Sequence, residues 1–270
     1  MDLIKVNQPK CIKCGFCVNV CPLNVLCMGE DGPIAVSPQS CMECGQCVAI
    51  CPRRAIDNIK TPLANQSVIN DSLFINSETA EQFLRSRRSI RCYKNKAVPH
   101  DQLEKLVDIA RFAPTASNRQ DVSYIIVENK EIIKKATEIT IEWMESEIKN
   151  SSSHYSFPYH VHAYRETGTD TILRDCPYLI LATTPKDFKN GRENTMLSLD
   201  YLTLFATTFG LGTCWAGVFE MCAFANNSPL LKLFNISEDK IITGAIMIGY
   251  PKYSYKRMVD RRPLDVTWIE

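Results

Sequence analysis

The first chemical feature of this sequence is a cysteine motif that occurs twice. The pattern C-x2-C-x2-C-x3-C-P fills residues 11–22 and again residues 41–52. Cysteine thiolates at this spacing are the ligands of cubane iron–sulfur clusters, and eight of them are enough for two clusters. The motif therefore predicts that the protein moves electrons one at a time. The eight residues are Cys11, Cys14, Cys17, Cys21, Cys41, Cys44, Cys47 and Cys51.

The alternative use of these cysteines is a pair of structural zinc sites. Zinc usually takes one Cys-x2-Cys pair from each of two places in a chain. It has no need for a third cysteine at the same spacing and a fourth before a proline, both of them repeated. We therefore favour clusters over zinc.

Residues 1–60 resemble a bacterial two-cluster ferredoxin. The resemblance implies that the fourth cysteine of each motif binds the cluster of the other motif. Cys11, Cys14, Cys17 and Cys51 would then hold one [4Fe-4S] cluster, and Cys41, Cys44, Cys47 and Cys21 the second. Gly15 and Gly45 hold matching positions, where backbone N–H groups can approach the cluster sulfurs.

Composition narrows the class of protein. The chain has 270 residues and a formal net charge of +1, so nothing in its charge favours binding to nucleic acid or to a membrane surface. Its first residues lack the apolar region of a signal peptide, and no apolar run reaches transmembrane length. Thirteen cysteines in such a chain do not indicate a secreted disulfide scaffold. We expect a protein of the reducing cytoplasm.

A linker and a second domain follow the cysteine motifs. Residues 61–76 contain Pro62 and many Asn, Ser and Asp residues, which predicts an irregular linker. The domain after it, residues 77–270, alternates helical and strand patterns. That alternation is typical of an α+β or α/β layered domain. Helices are predicted over 78–85, 102–113, 130–150, 193–210 and 229–233, and strands over 123–128, 177–183 and 241–251.

Helix starts and one aperiodic segment complete the prediction. Ser77 and Ser228 are predicted N-caps, and Asp101–Glu104 has the pattern of a capping box. Residues 151–170 are polar and aromatic without a clear period, and a lid over the substrate is one role open to them. His160 and His162 within them lack a nearby carboxylate or cysteine partner, so we interpret them as surface histidines rather than a metal pair.

Three further segments stand out, and two of them carry residue types that bind polar ligands. Residues 87–91 read Arg-Arg-Ser-Ile-Arg, which offers forked donors and a hydroxyl to a phosphate, although alone the segment is more typical of a solvated basic turn. Residues 114–120 are dense in small hydroxyl and amide side chains that can hydrogen-bond a polar ring system. Gly210 and Gly212 suit a helix C-cap and a tight turn.

These segments, taken in order and with the basic Arg261-Arg262-Pro263 near the end, resemble the nitroreductase family of FMN enzymes. The resemblance implies an α+β sandwich that forms a homodimer, with FMN at the dimer interface. It places Arg87, Arg88, Ser89, Arg91 and Arg261 at the FMN phosphate and ribityl chain. It places Thr115, Ser117, Asn118 and Gln120 along the flavin from the other subunit. The backbone of Ala216 and Gly217 would approach the flavin N5 edge.

Together the two resemblances imply an oxidoreductase with FMN and two [4Fe-4S] clusters. The clusters would relay electrons between a low-potential donor such as ferredoxin and FMN. The substrate would be a small electron-poor molecule such as a nitro compound, a quinone or an enone. Because the flavin supplies the chemistry, no catalytic side chain is expected. The alternatives are an NAD(P)H-dependent nitroreductase that uses the clusters as an electron outlet, and a non-catalytic flavin or redox-sensing module.

Overall fold

The computed structural model describes residues 2–150, 153–225 and 227–270. The chain forms two compact units. The first contains residues 1–75 together with 116–119, and the second contains residues 76–115 and 120–270. The domain boundaries at residues 60 and 77 stay a prediction.

The first unit repeats a small motif. Strand β1 (Ile4–Val6) pairs with β4 (Ile56–Asn58), and β2 (Leu26–Gly29) pairs with β3 (Gly32–Ala35), both antiparallel. Each cysteine motif runs into a single helical turn, α1 (Phe16–Asn19) or α2 (Gln46–Ala49). Gly15 and Gly45 precede these turns with φ of 77° and 71°, a left-handed conformation that glycine adopts without a Cβ penalty.

A small apolar core holds the first unit together. Leu3, Ile4, Val25, Leu26 and Ile56 are buried, and the half-buried cysteines Cys17, Cys21, Cys41, Cys47 and Cys51 pack against them. A core of this size stabilises a short chain only modestly. Five of the eight motif cysteines therefore have an apolar core on one side, while Cys14 is exposed.

The second unit is built on an antiparallel sheet with the strand order β5-β6-β8-β7. Its strands are β5 (Ser123–Val127), β6 (Tyr178–Pro185), β7 (Gly212–Trp215) and β8 (Lys240–Gly249). Because every pair is antiparallel, the structure confirms the α+β class and rejects the α/β alternative. The helices are α3 (Ser77–Ser86), α4 (His100–Ala110), α5 (Lys130–Lys149), α6 (Phe157–Thr167), α7 (Gly191–Ala206), α8 (Gly217–Phe224) and α9 (Ser228–Leu233).

Side-chain alternation along the central strands divides the core into two layers. Leu179, Leu181 and Met247 face one side of the sheet, where α5, α6, α8 and α9 cover them. Ile180 and Ile246 face the other side, where α4 and α7 cover them. This alternation is what a sheet with helices on both faces requires.

Two predicted N-caps are wrong by one residue. Asn76 caps α3 by accepting a hydrogen bond from the Thr79 backbone N–H at 2.8 Å, in place of Ser77. Asn227 caps α9 in place of Ser228. The predicted capping box at residues 101–104 is also wrong, because α4 already begins at His100 and has no side-chain cap. Asparagine caps as well as serine does, and the sequence does not distinguish two adjacent candidates.

Residues 153–170 contain a helix that their composition did not predict, and the role of the segment as a lid stays a prediction. Residues 151 and 152 lie outside the described residues, but Phe157–Thr167 is a regular helix with Phe157 and His160 buried. His160 is 8% exposed, and its Nδ1 lies 2.8 Å from the Thr171 hydroxyl, so its interpretation as a surface histidine is wrong. The aperiodic composition arises because aromatic residues occupy both the buried and the exposed faces of α6.

Helix α7 buries a face that combines leucines with small polar residues. Asn194, Thr195 and Ser198 are buried together with Leu199 and Leu202. Other apolar residues of the same helix stay accessible, with Leu197 45% and Tyr201 43% exposed. Within the described ranges, no helix is long and apolar enough to cross a membrane.

Candidate functional site

The first unit gathers the cysteines into two groups of four. One cavity is lined by Cys11, Cys14, Cys17 and Cys51, and a second by Cys21, Cys41, Cys44 and Cys47. Each group contains three cysteines of one motif and the last cysteine of the other, which is the grouping that the ferredoxin resemblance implies. The assignment of these residues as ligands remains a prediction that this arrangement supports.

The donors around the sulfur atoms fit a cluster. The Val25 N–H lies 3.2 Å from Cys21 Sγ, and the Ala55 N–H lies 3.2 Å from Cys51 Sγ, at equivalent places in the two repeats. N–H donors of this kind stabilise the negative charge that cluster sulfurs carry. The thiols and the backbone donors together are the set that an iron–sulfur cluster needs.

Burial affects the protonation of two of these thiols. Burial raises the pKa of Cys17, and backbone N–H groups of Val18 and Cys17 partly oppose the rise. Burial likewise raises the pKa of Cys47, where the Asn58 side chain opposes it. Because iron binds thiolates, assembly of the clusters must release protons from these positions.

The second unit contains a basic groove. It encloses about 470 Å³ and is lined on one side by residues that follow α3 and on the other by residues that follow β8. Arg87 and Arg88 line it, as the phosphate prediction requires, together with Lys94 and Lys252, which sequence reasoning missed. The two lysines come from loops with no phosphate-binding motif, so no sequence signal was present.

Arg88 supplies the strongest indication of an anion site. Its Nη2 is buried and has no hydrogen-bond partner within the part of the chain that is described. A buried guanidinium N–H without a partner is costly, and a phosphate oxygen is its natural acceptor. The guanidinium carbon of Arg88 also lies 5.9 Å from the centre of the Tyr255 ring. The groove therefore fits the phosphate of a flavin mononucleotide.

Tight packing holds the arginine segment in place. The Ile90 N–H donates to the Thr213 carbonyl at 2.9 Å, which attaches the segment to β7. Gly212 allows this approach, since a Cβ there would lie 2.4 Å from Ile90 Cγ1 and 2.9 Å from Pro251 Cγ. The Arg87 guanidinium also opposes the rise that burial causes in the pKa of Asp200, so part of its charge is balanced within the protein.

The other predicted phosphate residues lie elsewhere. Ser89 and Arg91 belong to the same segment but do not line the groove. The Ser89 carbonyl accepts from Arg91 Nη1 at 3.5 Å. Arg261 lies on the exposed C-terminal tail, also outside the lining of the groove. The structure therefore brings together Arg87 and Arg88 but not the full predicted set.

The predicted flavin loop, residues 115–120, belongs in part to each unit: residues 116–119 to the first, and Thr115 and Gln120 to the second. Thr115 Oγ1 accepts from the Gln120 N–H at 3.1 Å, and both residues line a cavity of about 520 Å³ in the second unit. Tyr124 and Ser198, joined by a short hydrogen bond, line the same cavity and were not predicted. Ser117 has a left-handed φ of 52°, which a non-glycine residue adopts at a cost in energy.

Asn118 makes its contacts within the first unit. Its side-chain amide donates to the carbonyl oxygens of Met42 and Glu43 at 3.0 Å each. Those two carbonyls lie between Cys41 and Cys44 in the second cysteine motif. The structure therefore uses the amide of Asn118 to fix a cluster loop.

The predicted N5 contacts lie at the start of α8. The Ala216 N–H already donates to the Ala245 carbonyl at 2.9 Å. Gly217 is the first residue of α8, so its N–H has no partner inside the helix. Apart from its chain neighbours and the backbone of α8, no described atom lies within 4 Å of a Cβ placed on Gly217, which is exposed. Of the two residues, Gly217 is the available donor.

Glu220 holds this corner of the second unit. It is 5% exposed, and its Oε1 accepts from the Ala245 N–H at 2.8 Å. Burial raises the pKa of its carboxyl, while the Ala245 N–H and the Arg192 guanidinium oppose the rise. Glu220 therefore ties α8, whose first residue is Gly217, to β8.

Comparison with known proteins agrees with both units. The model of the nitroreductase family matches residues 84–250, and the model of the 4Fe-4S dicluster domain matches residues 10–55. Two archaeal proteins named "Putative NADH dehydrogenase/NAD(P)H nitroreductase" are similar. The one from Archaeoglobus fulgidus is 27% identical over 65% of this chain and 87% of its own length. The one from Methanothermobacter thermautotrophicus is 24% identical over 62% and 75% respectively.

The fold of the second unit also occurs in solved structures. An FMN-bound nitroreductase from Bacteroides fragilis matches with a TM-score of 0.57 and 17% identity, over 73% of this chain and all of that chain. At this identity the likeness shows the shared fold.

Fold and sites thus define an FMN-dependent oxidoreductase that carries two [4Fe-4S] clusters. More particularly, the chain belongs to the nitroreductase family, with an N-terminal 4Fe-4S dicluster domain. The predicted family, fold class and cofactors are confirmed, and the dicluster match replaces the zinc alternative.

Proposed function

We propose that this enzyme takes single electrons from a low-potential donor such as ferredoxin and uses them to reduce a small electron-poor molecule in the cytoplasm. Nitro compounds, quinones and enones are the substrate classes. The observation that carries the proposal is the presence of an eight-cysteine dicluster domain and a nitroreductase domain on one chain. An enzyme that received only hydride from a nicotinamide would have no need for two one-electron carriers.

The residues of the second unit would bind and orient the flavin. When bound, the clusters carry electrons singly, and FMN collects them and delivers them in pairs. Arg88 Nη2 would donate to the FMN phosphate, and Lys94 and Lys252 would balance its charge across the groove. The Gly217 N–H would donate to the isoalloxazine ring. No side chain is required as acid or base, and protons would come from water.

The residues of the first unit would hold the relay. Cys11, Cys14, Cys17 and Cys51 would bind one cluster, and Cys21, Cys41, Cys44 and Cys47 the other. Asn118 would keep the second cysteine loop rigid through the Met42 and Glu43 carbonyls. A rigid cluster environment lowers the cost of reorganisation when the charge of the cluster changes.

We also propose that the chain is a homodimer. Leu197 and Tyr201 leave an apolar stripe of α7 accessible, and Trp268 and Ile269 of the C-terminal tail are 85% and 96% exposed. Apolar surface of this kind is typical of an interface that a second copy covers. Sedimentation of the holoenzyme should give twice the chain mass, and a monomer would contradict the proposal.

Donor choice tests the function directly. The holoenzyme would be assayed without oxygen on a nitroaromatic, a quinone and an enone, with reduced ferredoxin or with NADPH as the only donor. We expect faster turnover with ferredoxin on at least one substrate. Faster turnover with NADPH would instead support the nicotinamide-dependent alternative, which the names of the two archaeal relatives favour. Tight FMN binding without turnover for any pair would support the redox-sensing alternative.

A further inference from the structure

The two halves of the first unit are related by an offset of thirty residues, and one pair of corresponding residues places a thioether in one half and a buried amide in the other. Cys11 corresponds to Cys41, and the backbone donors Val25 and Ala55 also correspond. By the same offset, Met28 of β2 corresponds to Asn58 of β4. Met28 lines the cavity of the first cysteine group, and Asn58 lines that of the second. One cavity thus has a thioether where the other has an amide.

The amide of Asn58 is directed at the sulfur atoms. Asn58 is 3% exposed, and its Nδ2 lies 3.9 Å from both Cys41 Sγ and Cys47 Sγ. Its Oδ1 accepts from the Lys60 N–H at 2.9 Å. Since only the oxygen of an amide accepts from an N–H, this bond fixes which end of the side chain faces the cysteines.

We propose that Asn58 raises the reduction potential of the cluster held by Cys41, Cys44, Cys47 and Cys21, and so makes the two clusters unequal. Reduction adds one electron to a [4Fe-4S] cluster, and the added negative charge is shared with its sulfur ligands. An N–H donor stabilises that charge more in the reduced than in the oxidised cluster, so the potential rises. The Met28 thioether beside the other cluster has no proton to donate.

Charged groups near the two cavities oppose the effect of Asn58, because they favour reduction of the first cluster over the second. Their effect on the potentials is weaker. Lys13 and Arg53 line the first cavity, and both are exposed. Near the second, exposed Glu43 is paired with Lys60 at 3.0 Å. Solvent and salt screen exposed charges, whereas a buried amide keeps its effect at high ionic strength. The contribution of Asn58 is therefore measured best in concentrated salt.

The difference between the two reduction potentials would set the direction in which electrons move between the clusters. Electrons that enter at the first cluster would collect on the second, which is the better acceptor. The direction of electron flow rests on the proposed relay function. The difference between the two cluster potentials does not, because the potentials can be measured without donor or substrate.

The test exchanges the two residues in the full chain with both clusters loaded. Asn58→Met and Met28→Asn would be compared with the wild type by anaerobic redox titration in concentrated salt, followed by electron paramagnetic resonance. We expect Asn58→Met to move one of the two cluster potentials to a more negative value and to leave the other in place. Met28→Asn should move the other potential to a more positive value.

A further variant separates this effect from damage to the fold. Asn58→Asp keeps an oxygen acceptor for the Lys60 N–H but replaces the Nδ2 donor with a carboxylate charge, so it should shift the same potential as Asn58→Met in the same direction and by more. Iron content per chain confirms that the clusters are intact in each variant. Unchanged potentials in Asn58→Met and Asn58→Asp, or equal shifts of both clusters, would overturn the proposal.

Discussion

At the scale of single residues, Arg88 is the side chain on which we expect FMN binding to depend most. Among the described residues its buried Nη2 has no hydrogen-bond partner, and Arg88 lines a groove that also contains Lys94 and Lys252. Arg85 lies one turn earlier on α3 and pairs instead with Glu81 on the exposed surface at 2.6 Å. The two arginines therefore form a matched pair, one directed at the groove and one at solvent.

Replacing Arg88 should weaken FMN binding. A hydrogen bond between charged groups contributes about 1.5–3 kcal/mol, so Arg88→Ala should raise the dissociation constant of FMN by roughly 10- to 150-fold. Quenching of FMN fluorescence on binding to the apoprotein measures this constant. Arg85→Ala is the control and should bind FMN as the wild type does. Equal affinity in Arg88→Ala and the wild type would show that the phosphate lies elsewhere.

His160 makes the stability of the second unit depend on pH. Burial lowers its pKa, and Arg174 and His154 lower it further. The folded protein therefore takes up a proton there less readily than the unfolded chain. Its contribution to stability is fully present above the ordinary histidine pKa of about 6.5, and falls as the pH decreases from there toward the lower folded value.

Thermal unfolding of three proteins at pH 7.5 and pH 5.5 isolates this contribution. The wild type should lose stability at the lower pH, and His160→Gln should lose less because no imidazole has to be kept neutral. His162→Gln changes an exposed neighbour on the same helix and should behave as the wild type does. The same pH dependence in His160→Gln and the wild type would contradict this role for His160.

At the scale of elements, α3 leads directly into the arginine segment, and its start is set by Asn76. Asn76→Ala should cost about 1 kcal/mol of helix stability, because the Thr79 N–H loses its side-chain acceptor. Hydrogen exchange of the first turn of α3 measures this loss. Ser77→Ala is the control, with little change expected. A larger loss in Ser77→Ala than in Asn76→Ala would return the cap to the residue that the sequence favoured.

Elements with a strong local signal were predictable. The periodicity over residues 130–150 predicted α5, and continuous apolar runs predicted β6 and β8. Helical period and strand burial can both be recognised from the order of apolar residues. Strand β7 was missed. Its four residues lie in a glycine-rich segment typical of a turn, and they become a strand only by pairing with β8. Tertiary pairing of this kind is not visible in local sequence.

The same distinction applies to the sites. The cysteine groups were predictable because the ligand spacing is written into two short motifs. The groove was predictable only in part: Arg87 and Arg88 belong to a motif, but Lys94 and Lys252 reach the groove from separate loops. Asn58 was missed because its role depends on the amide orientation that the Lys60 N–H fixes.

At the scale of the whole molecule, one polypeptide combines a dicluster domain with a flavin enzyme of the nitroreductase family. Family members need a source of electrons, and here a one-electron carrier is part of the chain. We propose that electrons from ferredoxin reach FMN through these clusters. Loss of one cluster should then prevent reduction of the flavin by ferredoxin without changing the flavin site.

Anaerobic stopped-flow absorbance of flavin reduction by reduced ferredoxin tests this claim most directly. The wild type would be compared with Cys44→Ser, which removes a predicted cluster ligand, and with Cys27→Ser, which changes a cysteine outside both motifs. Photoreduction of FMN would show that each flavin site is intact. We predict rapid flavin reduction in the wild type and Cys27→Ser and a large loss of rate in Cys44→Ser. Equally rapid reduction in all three proteins would contradict the relay.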